Sequence, residues 1–260
     1  MTIRLLNQCI FLALFLTVGF RCERITDTFP TISYEYYPLE TGKYKTYQID
    51  STVYDEYNCS VVINSFQIKE VTGEMSIDGE GDPFYHVNRF YRKDSSYAWS
   101  LLGIWTEKIE SNQLQRVEDN QRQIKLVFPI KNERRWDGIV YIRRDTLVSL
   151  RGGVINQYKD WDDFVISEEG EPFVDTVSNT IYSQAVLVTQ VDKTNNIERR
   201  FSKEVYAKNI GLVYKEMWIL DTQCRQNCTG VGDIATCIYT PWKDKAEKGY
   251  IITQSLIDHN

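Results

Sequence analysis

One cluster of carboxylates stands out for chemistry: in Lys-Asp-Trp-Asp-Asp-Phe, Asp160, Asp162 and Asp163 surround Trp161. A glycosidase holds two carboxyl groups about 5–10 Å apart across a sugar, often beside an aromatic ring. On a strand, Asp160 and Asp162 share one face, which is compatible with that chemistry. A solvated turn accounts for the cluster equally simply, because charged residues gather in turns, and that is the reading adopted. Calcium also takes such oxygens, but the Asp/Asn–Gly pattern of a hand-type loop is absent. Histidine is scarce, with His86 in a strand-like stretch and His259 next to last. A Ser-His-Asp or Cys-His arrangement would therefore have to use His86. Cys224-x3-Cys228-x8-Cys237 lacks the paired spacing and the fourth nearby ligand of a zinc finger. No Gly-rich phosphate cradle or dinucleotide fingerprint occurs. No catalytic residue, metal site or cofactor is assigned, and the chain reads as a non-enzyme.

The cysteines speak to compartment instead. Arg4 precedes an apolar run from Cys9 to Phe20, broken only by Thr17 and Gly19. A spanning helix needs about 20 apolar residues, so residues 1–21 read as a signal peptide. Cys22 follows that run at lipobox distance, with Gly19 three residues upstream, and is expected to carry the lipid. Arg21 departs from the small residue usual before such a cysteine. Four cysteines then remain, Cys59, Cys224, Cys228 and Cys237, an even number that suits pairing in an oxidising compartment. Three pairings are open, with at least one bond expected within 224–237 and another reaching back to Cys59.

Removing residues 1–21 takes the basic count from 30 to 28 against 36 acids, a balance of −8. That acidity argues against nucleic acid and against a polybasic membrane grip. The Arg134-Arg135, Arg143-Arg144 and Arg199-Arg200 pairs place one member on each face of a strand. The inward member would be free to grip an anionic group, or simply be balanced by neighbouring acids. Trp99, Trp105, Trp136, Trp161, Trp218 and Trp242 suit sugar stacking, a lipid groove or ordinary strand packing.

These side chains must be carried by strands. Period-two stretches recur in VVINSFQIKEV, FYHVNRFYRK, YAWSLLGIWTEKI, QIKLVFPI, GIVYIRR, IYSQAVLVTQV, GLVYKEMWIL and GYIITQSLID. Turn signals separate them: IDGEGDP, ESNQ, KNERRWDG, RGG, SEEGEP and DKTNN. Only RFSKEVYAKN and WKDKAEK suit a short helix. Without crossover helices a parallel sheet is excluded. The expectation is a mainly β protein, a single curved antiparallel sheet or half-barrel with at most one or two short helices. Residues 22–33 form a lipid-anchored tether, and 34–260 one β domain with a disulfide-bearing insertion at 221–247.

YYPLETGKYKTYQID, SFQIKEV, QIKLVFPI and EVYAKNIGLVYKE followed by GYIITQSLID resemble a family of lipoproteins from Bacteroidota-type bacteria. The resemblance spans roughly residues 34–258, with the cysteine-bearing loop as an insertion. Tyr44 stands where Trp is commoner, and Asn209 where Gly is usual. It implies a curved half-barrel around an apolar groove, as in lipoprotein carriers, and brings no catalytic residues. The expected protein is exported and anchored through lipid at the outer membrane of the cell envelope, periplasmic or surface-facing. Its role is non-enzymatic binding of an apolar or amphipathic ligand or of an envelope protein. A glycan-binding module and a carboxylate-based glycan hydrolase are the alternatives.

Overall fold

The computed structural model describes residues 33–151, 153–230 and 233–260. The expected signal peptide, Cys22 and all of the tether but Ser33 lie outside them. Packing begins at Tyr34, whose ring meets Phe128 at 4.8 Å, and Tyr37 is already buried.

Twelve strands make one antiparallel sheet, ordered β6-β5-β4-β3-β2-β1-β14-β13-β12-β11-β10-β7. In chain order they are β1 (Tyr44–Asp55), β2 (Ser60–Ile77), β3 (Pro83–Arg92), β4 (Ser100–Glu110), β5 (Gln113–Glu118) and β6 (Gln121–Val127). Then come β7 (Arg135–Trp136), the separate hairpin β8 (Leu147–Leu150) and β9 (Gly153–Asn156), β10 (Phe164–Asp175) and β11 (Thr180–Thr194). The last are β12 (Glu198–Ala207), β13 (Gly211–Asp221) and β14 (Lys248–His259). The mainly β, curved antiparallel fold expected from the strand pattern is therefore the one observed.

Turn chemistry explains the hairpins. Ser111-Asn112 and Asp119-Asn120 both carry positive φ at two successive residues, the mirror-image turn that matches strand twist. At two longer turns an aspartate caps the corner. Asp55 accepts from the N–H groups of Tyr57 and Asn58, and Asp175 from those of Val177 and Ser178. The left-handed residue that follows is Cys59 in one turn and Asn179 in the other.

The sheet nearly closes on itself. The Ile124 N–H of β6 donates to Gly138 O at 2.9 Å, and the Trp136 indole donates to Ile124 O at 2.7 Å. Trp136 in turn pairs with Phe164 of β10, so residues 136–138 link the two ends of the strand order. The connection 128–163 then turns inward. Its Phe128, Ile139, Ile155, Tyr158 and Trp161 are buried in the same cluster as Leu114, Leu126, Val188 and Ile219.

Three local expectations need correction. RFSKEVYAKN forms β12 rather than a helix, because Arg200, Ser202, Glu204 and Tyr206 alternate into the interior while the helical period finds nothing to pack on. GIVYIRR is a run of turns: Asp137 accepts from the Ile139 N–H, and Ile139 and Ile142, three apart, are the residues that meet the core. SEEGEP lies inside β10, where register shifts and positive φ at Glu168 and Gly170 absorb it as a bulge.

Among the described residues helix is confined to the insertion: α1 (Gln226–Thr229), α2 (Ile234–Tyr239) and α3 (Trp242–Lys245), the last within the expected WKDKAEK. The Glu247 carboxylate ties the insertion's two ends, accepting from Thr222 Oγ1 and from the N–H groups of Gln223 and Arg225. Beneath it Tyr54, Leu220 and Ile251 form a small core with Trp218, Trp242 and Ala246.

Candidate functional site

The interior holds a chain of buried charges on strand faces. Leu114, Arg116 and Glu118 alternate on β5, so two charges stand in phase with the apolar stripe. Arg116 is the hub: its guanidinium lies 2.6 Å from Glu70 Oε1, 2.6 Å from Glu107 Oε1 and 3.0 Å from Glu118 Oε1. Arg89 reaches the same Glu70 oxygen at 3.1 Å, and the Tyr37 hydroxyl donates to Glu107 at 2.5 Å. Further in, Glu204 takes Lys125 at 2.5 Å, Lys215 at 3.4 Å and the Tyr206 hydroxyl at 2.6 Å. The Arg89 and Arg116 guanidinium carbons stand 3.3 and 4.7 Å from the centre of the Trp105 ring.

The electrostatics hold Glu70, Glu118 and Glu204 in their charged form. Burial alone would raise the carboxyl of Glu70, but Arg116 and Arg89 outweigh it and hold the group below its ordinary range. Glu118 and Glu204 are likewise pushed up by burial, then held low by Lys125 and Lys215. Burial, with Glu107 beside Tyr37 and Glu204 beside Tyr206, pushes both phenols well up. A proton donor or acceptor at neutral pH needs the opposite tuning, toward 7. These groups are built to stay as they are, which is the mark of an internal framework.

The sequence did not single out this cluster. Its signal was nonetheless present, as charged residues at strand positions that the alternation sends inward: Glu70, Glu107, Arg116 and Glu204. One part of the interior is occupied by Trp161, Tyr158 and Ile155, and another by the ion pairs. Surface clefts do occur. One of about 440 Å³ is lined by Arg89, Gly103, Trp105 and Asp119, and one of about 260 Å³ by Phe84, Lys108, Gln115 and Arg122. Both carry charged walls.

The carboxylate cluster is only partly brought together. Asp160 and Asp162 line a polar cleft of about 270 Å³ with Lys193, Asn195, Glu198 and Arg200. Asp160 occupies a left-handed turn position, and Asp162 is exposed and pairs with Lys193 at 2.5 Å. Asp163 borders a second, open cleft with Arg135, Arg144 and Asp162, which lines both. Trp161, the expected sugar platform, is 1% exposed and packs on Tyr158 and Phe164. His86 Nε2 sits 3.2 Å from Ser76 Oγ with its ring against Phe84, and among the described residues no carboxylate bonds to it.

The arginine pairs divide as strand geometry requires at one site. Arg199 faces outward onto Asp192, while Arg200 is buried, donating to Leu220 O and Asp221. Arg143 and Arg144 pair with Asp145 and Asp137 on the surface. Among the described residues no three His, Cys, Asp or Glu side chains converge as a metal site.

Cys59, Cys224, Cys228 and Cys237 form two disulfides, Cys59–Cys228 and Cys224–Cys237, with Cα separations of 4.7 and 6.0 Å. One closes within 224–237 and the other returns to Cys59, pinning the insertion to the β1–β2 hairpin.

No protein-family model and no curated protein matches the chain. Two solved structures are similar in outline. A presumed lipoprotein from Parabacteroides distasonis is 9% identical with a TM-score of 0.37, over 86% of this chain and 98% of its own. A presumed exported protein with a YmcC-like fold from Bacteroides fragilis is 11% identical with a TM-score of 0.32, again over 86% and 98%. At these scores the likeness carries no argument about this chain.

Proposed function

We propose that the chain is an exported, non-enzymatic protein of the cell envelope that binds another protein through its outer surface, rather than carrying an apolar ligand inside. The observation that carries this reading is the filled interior, with Trp161 and Tyr158 in one part and the Lys125–Glu204 pair in another. A drug-sized or acyl ligand needs a largely apolar cavity of about 300–1,000 Å³. The clefts of about 440 and 270 Å³ are lined by charged side chains such as Arg89, Asp119, Asp160 and Lys193. Export is supported by the two disulfides, which persist in oxidising compartments. Anchoring through Cys22 completes the reading and places the protein at the outer membrane.

Two measurements test it. Native mass spectrometry of residues 33–260, purified without detergent, should show the bare polypeptide mass; stoichiometric bound lipid would restore the carrier reading. Labelling with an alkynyl fatty acid should mark the wild type and not Cys22→Ala. Equal labelling of both removes the anchor.

A further inference from the structure

The polar cleft at Asp160 and Asp162 contains groups that the fold itself does not use. Arg200 lines it although only 2% exposed. Its Nε donates to Asn156 O at 3.2 Å, and its Nη1 to Leu220 O at 2.9 Å and to Asp221 at 2.8 Å. Nη2 makes no hydrogen bond among the described residues. Buried polar groups are nearly always satisfied, so these donors are met from the cleft. Asp160 is free in the same sense: its carboxylate has no hydrogen bond or ion pair among the described residues. Yet its place is fixed from both sides. Lys159 bonds Glu198 at 2.5 Å, and Trp161 is buried in the core. Thr194 Oγ1 accepts from the Trp242 indole at 3.2 Å and keeps its own proton to give. Asn195, by contrast, is used up, accepting from the Ile197 and Glu198 N–H groups and donating to Glu198.

We propose that this cleft binds a neutral sugar. The groups on offer are donors from Arg200 and Thr194 and an acceptor from Asp160. Three carboxylates, Asp160, Asp162 and Glu198, stand against two cations, Lys193 and Arg200. An anion would meet the acids, and a cation would meet Lys193 and Arg200. A hydroxyl group needs no charge, accepts from Arg200 Nη2 and donates to Asp160, in bonds that a charged partner strengthens. The volume of about 270 Å³ lies just under that of drug-sized ligand sites, about 300–1,000 Å³, and suits a single ring. A free monosaccharide and the terminal ring of a glycan share this chemistry. The site is separate from the binding of a protein partner, so the failure of either leaves the other standing.

Residues 33–260 contain every described strand and both disulfides, and amide NMR shifts can follow their titration with sugars. Glucose, galactose, mannose and N-acetylglucosamine are the probes. At least one should bind saturably in the millimolar range, with its largest shifts at Asp160, Thr194 and Arg200. Short oligomers of that sugar separate the two sources: affinity kept on extension marks a glycan end, and affinity lost marks a free monosaccharide. Asp160→Gly removes the carboxylate while keeping the positive φ of 61° at that turn. It should melt like the wild type and bind about tenfold more weakly. Saturable binding by none of the probes, shifts confined to other parts of the surface, or undiminished binding by Asp160→Gly overturns the proposal. Tighter binding of glucuronate or glucosamine than of glucose overturns it as well, because the cleft would then select a charge.

Discussion

Lys125 Nζ on β6 lies 2.5 Å from Glu204 Oε1 on β12, joining two strands that are not neighbours in the sheet. Both side chains are almost fully buried. Glu204→Gln should therefore lower unfolding free energy by about 3 kcal/mol, since it takes the nearest carboxylate from two cations, Lys125 and Lys215, and leaves Lys125 only Glu118 at 3.8 Å. Replacing both by apolar residues, Lys125→Met with Glu204→Leu, should cost less than the two single changes summed. Denaturant titration of the four proteins gives the coupling; strict additivity would show that the pair is not acting as one unit.

The same cluster sets a pH window. Glu70, Glu118 and Glu204 have folded-state values below their ordinary 4.5, where burial is outweighed by the nearby cations. Their contribution is present above that value and is lost as pH falls through the depressed folded values. Tyr37 and Tyr206 run the other way: raised above 10.0 by burial, they favour the fold below that pH and lose this effect as pH rises past it. The denaturation midpoint should form a plateau between, falling at both ends. In Glu204→Gln the acid limb should be shallower; an unchanged acid limb would remove Glu204 from the account.

Gly138 is where the sheet closes. A methyl group there would overlap the Phe164 ring, which is 0% exposed and held by Trp136 and Trp161. Gly138→Ala should cost about 1–3 kcal/mol by overpacking. Hydrogen exchange at the Ile124 amide, which bonds to Gly138 O, should accelerate in the same variant. Destabilisation without faster exchange at Ile124 would place the damage elsewhere.

The strand pattern made most of this architecture legible, because period-two alternation survives wherever one face is buried. It failed at Arg200–Tyr206, where the inward residues are arginine, serine, glutamate and tyrosine and do not register as an apolar stripe. It failed again at GIVYIRR, whose apolar residues belong to a turn that dips into the core. Disulfide pairing was narrowed by clustering of the late cysteines but not fixed, since the approach of Cys228 to Cys59 depends on the tertiary path of the insertion. The interior ion cluster went unread for a related reason: a charge on a strand looks like surface until its partners arrive from other strands.

The two disulfides should differ in weight. Cys59–Cys228 spans 169 residues and Cys224–Cys237 spans 13. Chain-entropy estimates are about 5 and about 3 kcal/mol respectively. Cys59→Ala with Cys228→Ala should therefore lower stability more than Cys224→Ala with Cys237→Ala, by denaturant midpoint. The reverse order would mean that the shorter bridge holds native structure that the longer one does not.

The carboxylate cluster separates a binding protein from a hydrolase. Asp162 and Lys193 are both more than half exposed, so their pair is worth about 0–1 kcal/mol, and Asp162→Asn should fold like the wild type. Trp161→Ala, by contrast, should cost about 3–5 kcal/mol, because that ring is core rather than platform. Trp161 is buried and so offers no platform for a sugar, and Asp162 is paired with Lys193. On a polysaccharide panel neither the wild type nor Asp162→Asn should release reducing sugar. Turnover by the wild type that disappears in the folded Asp162→Asn protein would make the polar cleft at Asp160 and Asp162 an active site and displace the binding role.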